Sequence, residues 1–412
     1  MTRAPRQVRK QRPVRDPYGL LPAGTPIAAV LAVAGLLMVG LVTVVVGSGQ
    51  LPFNVGGGPA GPGPGGSGDP GVARTPTPSN EVVVPTEPPG LDIPGTLVYA
   101  KDGNIWVQTD GKATQVTTGG NDSMPSFSED GSAIYFVRTR SADGAWSVDG
   151  EMKDYVLDVP ALMRVPVDGG KPVRILDGLV DPPGRLKWMG FIREPVVSPD
   201  GNTIAMASDL PDPTKSDVTL KLLNLRTQKI TDLGLDQVPP LGHQDPAWRP
   251  DGQRLAYVRD DRDGAKGAPR IYLYTPATKK TRALTGAGYL QPAWSPDGKY
   301  IAATRTSAIG TDVVILDATS GTELVRLTND GRSWAPTWSP AGNQIAYLRV
   351  AGQVVDLQMA QLDGNGPAWT VKETVGLTDS AGLDGVSRPD WYVAPADLPA
   401  ATEPAQASPS GS

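Results

Sequence analysis

From residue 96 onward the apolar positions fall in runs of five to eight, separated by polar pairs that most often read Asp-Gly. Nothing in this region sustains the 3.6-residue spacing of an amphipathic helix, whereas short β-branched and aromatic runs closed by turn residues predict strands. Five copies of one pattern stand out: "PSFSEDG" at Pro125, "PVVSPDG" at Pro195, "PAWRPDG" at Pro246, "PAWSPDG" at Pro292 and "PTWSPAG" at Pro336. Each predicts a strand ending in a tight turn. A second strand follows ("AIYFVR", "TIAMAS", "RLAYVR", "YIAATR", "QIAYLR"), and then a third ("ALMRVPV", "TLKLLNL", "RIYLYTP", "DVVILDA", "VDLQMAQL"). The fourth tends to end in a Leu-Thr pair, as at Thr285, Thr328 and Thr378.

The copies are spaced by 70, 51, 46 and 44 residues, and the three shorter intervals suit a four-stranded propeller blade. The 70-residue interval is short for two blades, so an insertion is expected around Ser141 to Pro160 and again around Asp181 to Ile192. At the start of the region, "TLVYAKDGNIWVQTDGKATQVTT" supplies second, third and fourth strands with no first. At its end, "SRPDWYV" from Ser387 supplies a first strand with nothing after it. Together they make one blade from both termini, which closes the ring. The expected fold is all-β, a six-bladed propeller of four-stranded antiparallel blades preceded by one transmembrane helix.

That helix is read from Ile27–Val46, twenty residues without a charge. A helix of this length spans about 30 Å, the thickness of a bilayer core. Ahead of it stand Arg3, Arg6, Arg9, Lys10, Arg12 and Arg15 against Asp16 alone, which places the N-terminus in the cytoplasm and the remainder outside. No small-x-small cleavage site follows closely, so an uncleaved anchor is expected. The organisation expected is a basic tail (1–26), the membrane helix (27–46), a Gly/Pro-rich linker (47–90), the propeller (91–393) and a disordered tail (394–412). The localisation implied is the cell membrane, single-pass.

Composition then narrows the function. The first 25 residues carry +5, which leaves −10 for the rest on a whole-chain charge of −5. An acidic exported part argues against nucleic acid as a partner. With no cysteine, thiolate metal sites, disulfides and cysteine nucleophiles are excluded. His243 is the only histidine and no G-x-S-x-G elbow exists, so serine-hydrolase chemistry lacks its parts. The recurring Trp248, Trp294, Trp338 and Trp391 are read as packing between blades.

The "PxWSPDGxxIAY" repeats resemble the WD-repeat-like propeller repeats of the TolB family, over about Leu97 to Val393. Arg249 and Ala341 depart from the motif, where looser turns are expected. The resemblance implies a propeller that binds partner proteins. In propellers of this type the first strand of each blade lines the channel, so the residues before each Pro should ring one mouth. These are Asp122, Arg193, Glu194, His243, Gln244, Asp245, Tyr289, Gln291, Trp334 and Arg388, with Ser123, Ser333 and Ser387 beside them. They differ from copy to copy, as a binding surface would. The expectation is a non-enzymatic scaffold for an envelope protein or peptide segment, without cofactor or metal. The alternative is an enzyme acting on envelope glycan or a small metabolite through Asp122, Glu194 and Asp245.

Overall fold

The computed structural model describes residues 93–182, 186–235, 242–260, 269–364 and 366–394. The anchor Ile27–Val46, the basic tail, the linker up to Gly90 and nearly all of the C-terminal tail lie outside them. Among the described residues no helix is long and apolar enough to cross a membrane.

The strands form six four-stranded sheets. Blade 1 contains β4 (Asp122–Phe127), β5 (Ala133–Val148), β6 (Glu151–Pro166) and β7 (Val173–Asp177); blade 2 contains β10 (Arg193–Val197), β11 (Thr203–Ser208), β12 (Thr219–Asn224) and β13 (Ile230–Asp232). Blade 3 contains β14 (His243–Trp248), β15 (Leu255–Arg259), β16 (Arg270–Thr275) and β17 (Lys280–Ala283). Blade 4 contains β18 (Tyr289–Trp294), β19 (Tyr300–Ser307), β20 (Gly310–Asp317) and β21 (Glu323–Arg326). Blade 5 contains β22 (Ser333–Trp338), β23 (Gln344–Ala351), β24 (Val354–Asp363) and β25 (Thr370–Gly376). The closing blade pairs β26 (Asp390–Tyr392) with β1 (Thr96–Lys101), followed by β2 (Asn104–Thr109) and β3 (Lys112–Gln115). Leu97 lies opposite Trp391 in that seam, so both ends of the propeller region share one sheet.

One apolar cluster lies between each neighbouring pair of blades. In β11, Ile204 and Met206 pack toward blade 1 while Ala205 and Ala207 pack toward blade 3. Burial on both faces explains why the second strands read as continuous apolar runs instead of alternating ones. The tryptophans add stitches: the Nε1–H of Trp294 donates to the Ala247 carbonyl (3.0 Å) and that of Trp338 to the Ala293 carbonyl (3.1 Å), each in the preceding blade.

The repeated turns are equally physical. Gly131, Gly201, Gly252, Gly298 and Gly342 all hold φ between 66° and 79°, where a side chain is disfavoured. Beside them the Ser128, Ser198 and Ser295 hydroxyls donate to Asp130, Asp200 and Asp297. The two departures are compensated rather than loose. Arg249 forms an ion pair with Asp251 (3.1 Å) and its guanidinium lies over the Trp294 ring; in blade 5 Ser339 still accepts the Gln344 N–H (3.1 Å).

The long interval after Pro125 holds no extra blade. β5 and β6 are 16 residues each and pair throughout, from Ala133↔Pro166 to Val148↔Glu151. Since Arg138 pairs with Asp122 at the channel mouth, the rest of the ribbon projects beyond that face. A short pair, β8 (Leu179–Val180) and β9 (Trp188–Met189), braces it, with Trp188 packed on Trp146 and Tyr155.

Candidate functional site

The channel mouth is built on a strained backbone position that recurs in five blades. Met124, Glu194, Asp245, Gln291 and Ala335, each just before the repeat proline, have φ of 50–54°, and each first strand is bulged there. A non-glycine residue held so costs on the order of 1–3 kcal/mol and persists only where its surroundings fix it. Here the neighbouring blade does the fixing. The Met124 N–H donates to Ser387 Oγ (2.8 Å), that of Glu194 to Met124 Sδ (3.3 Å), and that of Asp245 to Glu194 Oε2 (2.5 Å). The Gln291 N–H donates to Asp245 Oδ2 (3.0 Å) and the Ala335 N–H to Gln291 Oε1 (3.0 Å). At four of these positions (Met124, Glu194, Asp245 and Gln291) the side chain accepts the N–H of its counterpart one blade on, and the relay ends at Ala335.

Arg388 takes the corresponding place in the closing blade and does something different. Its Nη1 donates to the Pro292 carbonyl (2.9 Å) and its Nη2 to the Pro246 carbonyl (3.0 Å), in blades 4 and 3 on the far side of the ring. The side chain therefore crosses the channel, and its charge faces Asp245.

Two carboxyl groups near this crossing hold protons unusually well. Burial, reinforced by the charge of Glu194, pushes Asp245 up to about 7. The same two causes push Asp260 up to about 7, and Gln244 Nε2 donates to Asp260 Oδ2 at 2.9 Å. Glu194 also lies 3.5 Å from Arg193, the most open of these groups.

The remaining mouth residues have separate surroundings. Asp122 is buried and accepts two bonds from Arg138, at 2.6 and 2.7 Å. His243 is buried against Tyr257, its Nδ1 is 3.0 Å from Thr219 Oγ1, and burial with the nearby Arg259 charge pushes it down to about 4, so it is neutral at pH 7. Trp334 is buried with its Nε1–H on the Gly385 carbonyl (2.8 Å). The Tyr289 hydroxyl donates to Glu323, which also holds Arg305. Thus Glu194, Gln244, Asp245, Gln291 and Arg388 converge, while Asp122, His243, Tyr289 and Trp334 do not join them. Among the described residues no group of three or more His, Asp or Glu side chains is placed to hold a metal ion.

Residues 186–377, the span of blades 2 to 5, match the family model of the TolB beta propeller domain. Over those residues the chain resembles the TolB beta propeller domain, and its described residues form a six-bladed ring. Among solved structures it is similar to TolB from Acinetobacter baumannii, at 20% identity over 72% of this chain and 66% of that one, with a TM-score of 0.52. The chain thus spans just under two thirds of that protein's length. A protein assigned as TolB from Agrobacterium tumefaciens follows at 16% identity, covering 74% of this chain and 96% of that one, with a TM-score of 0.49. An oligogalacturonate lyase from Vibrio parahaemolyticus stands at 14% identity, 63% and 83% coverage and a TM-score of 0.40. Identities this low speak to fold alone. No curated protein matches the sequence.

In the TolB-like ring, Asp260 and Met124 are the mouth residues that motif reading passes over. Asp260 follows the second strand of blade 3 as Asp209 follows that of blade 2, and Asp209 is likewise buried and pushed up to about 6. A recurring acid after an apolar strand was the available signal.

The raised carboxyl groups give this propeller a definite pH response. A carboxyl that binds its proton more tightly when folded stabilises the fold below its ordinary value of about 4, and that contribution is lost as pH rises toward about 7. Replacing Asp245 by Asn keeps an acceptor for Gln291 and removes the titration. Asp245→Asn should flatten the pH 4–7 dependence in part and be about 1–2 kcal/mol more stable than the wild type at pH 8. Urea midpoints at pH 5 and pH 8 check this; a variant weaker at both values would show that the carboxylate itself holds the ring.

Proposed function

We propose that this chain is a membrane-tethered, extracytoplasmic scaffold that holds a protein or peptide segment at the channel mouth. The observation that carries the reading is the use already made of the mouth's carboxylates. Glu194 and Asp245 accept backbone N–H groups of the next blade, and Arg388 crosses the channel to the Pro246 and Pro292 carbonyls. Hydrolysis by paired carboxylates needs both groups free to meet a substrate. What this face leaves open is instead Arg193 on blade 2, Gln244 on blade 3 and Tyr289 with Gln291 on blade 4, each only partly buried, with the β5–β6 ribbon rising beside them.

The flanking sequence supports the tether. Ile27–Val46 would fix the chain in the membrane, and the 44-residue linker to Gly90 would reach roughly 35–40 Å as a flexible coil and about 140 Å fully extended.

The test is crosslinking of the full-length chain on its native envelope, compared with the triple variant Arg193→Ala, Gln244→Ala, Tyr289→Ala, which spares the bonds between first strands. A partner recovered by the wild type and reduced about tenfold or more in the variant is the expected result. Equal recovery would remove the mouth as the site. Recovery from neither, with turnover of an envelope glycan that Glu194→Gln abolishes, would favour the enzyme.

A further inference from the structure

Blade 3 contains a charge arrangement found in no other blade of this ring. The second strand ends at the mouth in a basic residue in five of the six blades: Lys101, Arg138, Arg259, Arg305 and Arg349. On the third strand, Arg305 stands opposite Asp312, Arg349 opposite Asp356, Arg138 opposite Ala161 and Lys101 opposite Asn104. Arg259 stands opposite Arg270. Side chains directly opposite in an antiparallel pair share one face with Cβ atoms about 4.5–5.5 Å apart, and like charges so placed destabilise the sheet.

Every other arginine of the series has an anion. Arg138 has Asp122, Arg305 has Glu323 and Arg349 has Asp330. Among the described residues Arg259 and Arg270 form no ion pair, and the Nε of each is buried without a hydrogen-bond partner. Arg259 lies over the Tyr272 ring, 5.7 Å from its centre. The other groups around this face do not supply the charge. His243, opposite Arg259 on the first strand, is neutral; Asp232 is taken by Lys221; Asp260, next along the strand, points to the other face, where Gln244 holds it. Both arginines are only partly buried as residues.

We propose that the mouth end of blade 3 binds an oxyanion with two acceptor oxygens, a carboxylate or a phosphoryl group, between the guanidinium groups of Arg259 and Arg270. Two planar forks side by side match such a group, and each buried Nε–H gains the acceptor it lacks. The site stands apart from the partner reading above, since it lies on the face of blade 3 that packs toward blade 2.

The experiment uses the full-length chain purified in detergent, titrated with inorganic phosphate and separately with acetate against sodium chloride at matched ionic strength. Thermal denaturation and the NMR signals of the arginine Nε–H groups are followed. Saturable stabilisation with movement of two Nε–H signals is expected. A response to phosphate alone would assign a phosphoryl ligand; a response to both anions would assign a carboxylate-compatible one. Arg270→Gln should weaken binding at least tenfold without lowering the melting temperature in chloride. Arg270→Asp rebuilds the Arg–Asp rows of blades 4 and 5, so it should raise the melting temperature and abolish the response. A wild-type response no greater than that to chloride, or an equal response in Arg270→Asp, overturns the site. So does a response that appears only in the Asp261→Asn, Asp263→Asn variant, which would make the chain's own loop the counter-anion.

Discussion

Trp391→Ala should lower the stability of the ring by about 3–5 kcal/mol, the range for removing a buried tryptophan. Trp391 is buried in the cluster that joins the closing blade to blade 5, with Leu97, Tyr99, Trp334 and Val393, and its Nε1–H donates to the Pro94 carbonyl at 2.9 Å. It sits at the centre of β26, three residues that supply the whole first strand of the closing blade. On either side of it, Asp390 accepts the Phe127 N–H (2.9 Å) and Tyr392 packs on Phe127, so the same short strand also ties blade 1. Trp338→Ala removes an equivalent ring from an interior blade and serves as the comparison. Both should shift the urea midpoint. Only Trp391→Ala should also separate the transitions seen by near-ultraviolet and far-ultraviolet dichroism, because it opens the ring as well as emptying a core. Coincident transitions with a loss under about 0.5 kcal/mol would show that the termini do not close the propeller.

Arg388→Ala should cost about 3–5 kcal/mol at pH 8 and distinctly less at pH 5. At the higher pH the guanidinium is the counter-charge for a buried, ionised Asp245, and its removal also strips two proline carbonyls of their donor. The Asp245 pKa, already near 7, should rise further in the variant, so at pH 5 the carboxyl is neutral and needs no cation. What persists at pH 5 is then the carbonyl contribution alone. Arg388→Lys keeps the charge, yet one ammonium head cannot span both carbonyls as the fork does, so less than half of the loss should be recovered. Urea midpoints of the three proteins at the two pH values give the test. A loss independent of pH would mean that Arg388 acts through the carbonyls only.

The architecture is legible in the sequence because its rules are local. A turn that needs positive φ calls for Gly; the hydroxyl and carboxylate beside it bond their own neighbours; and a strand buried on both faces is apolar at every position. Blade number, the closing blade and the insertion after Pro125 follow from those rules and from spacing. The mouth obeys a different logic. Glu194, Asp245 and Gln291 are legible from their place before the repeat proline, but the backbone conformation they share with Met124 and Ala335 is not, because the five have no side-chain chemistry in common. Arg388 meets Pro246 and Pro292 only after the ring has closed over 142 and 96 residues of chain. The Arg259–Arg270 pair depends on strand register, which a one-residue slip would abolish. His243 and Trp334 were expected at an open rim from their place before the repeat proline; local register turns both inward, into contacts between strands and blades.

The relay at the mouth also has a direction. From Glu194 to Ala335, each donor lies later in the chain than its acceptor. For a polypeptide that emerges N-terminus first, every new blade meets a side chain already set to receive it, so assembly can proceed in the order of synthesis. Met124 is the exception. Its N–H is received by Ser387, at the far end of the propeller, and must wait until synthesis of the ring is nearly finished. The first blade is the last to be secured, and a chain stopped before Ser387 carries a strained residue with nothing to hold it.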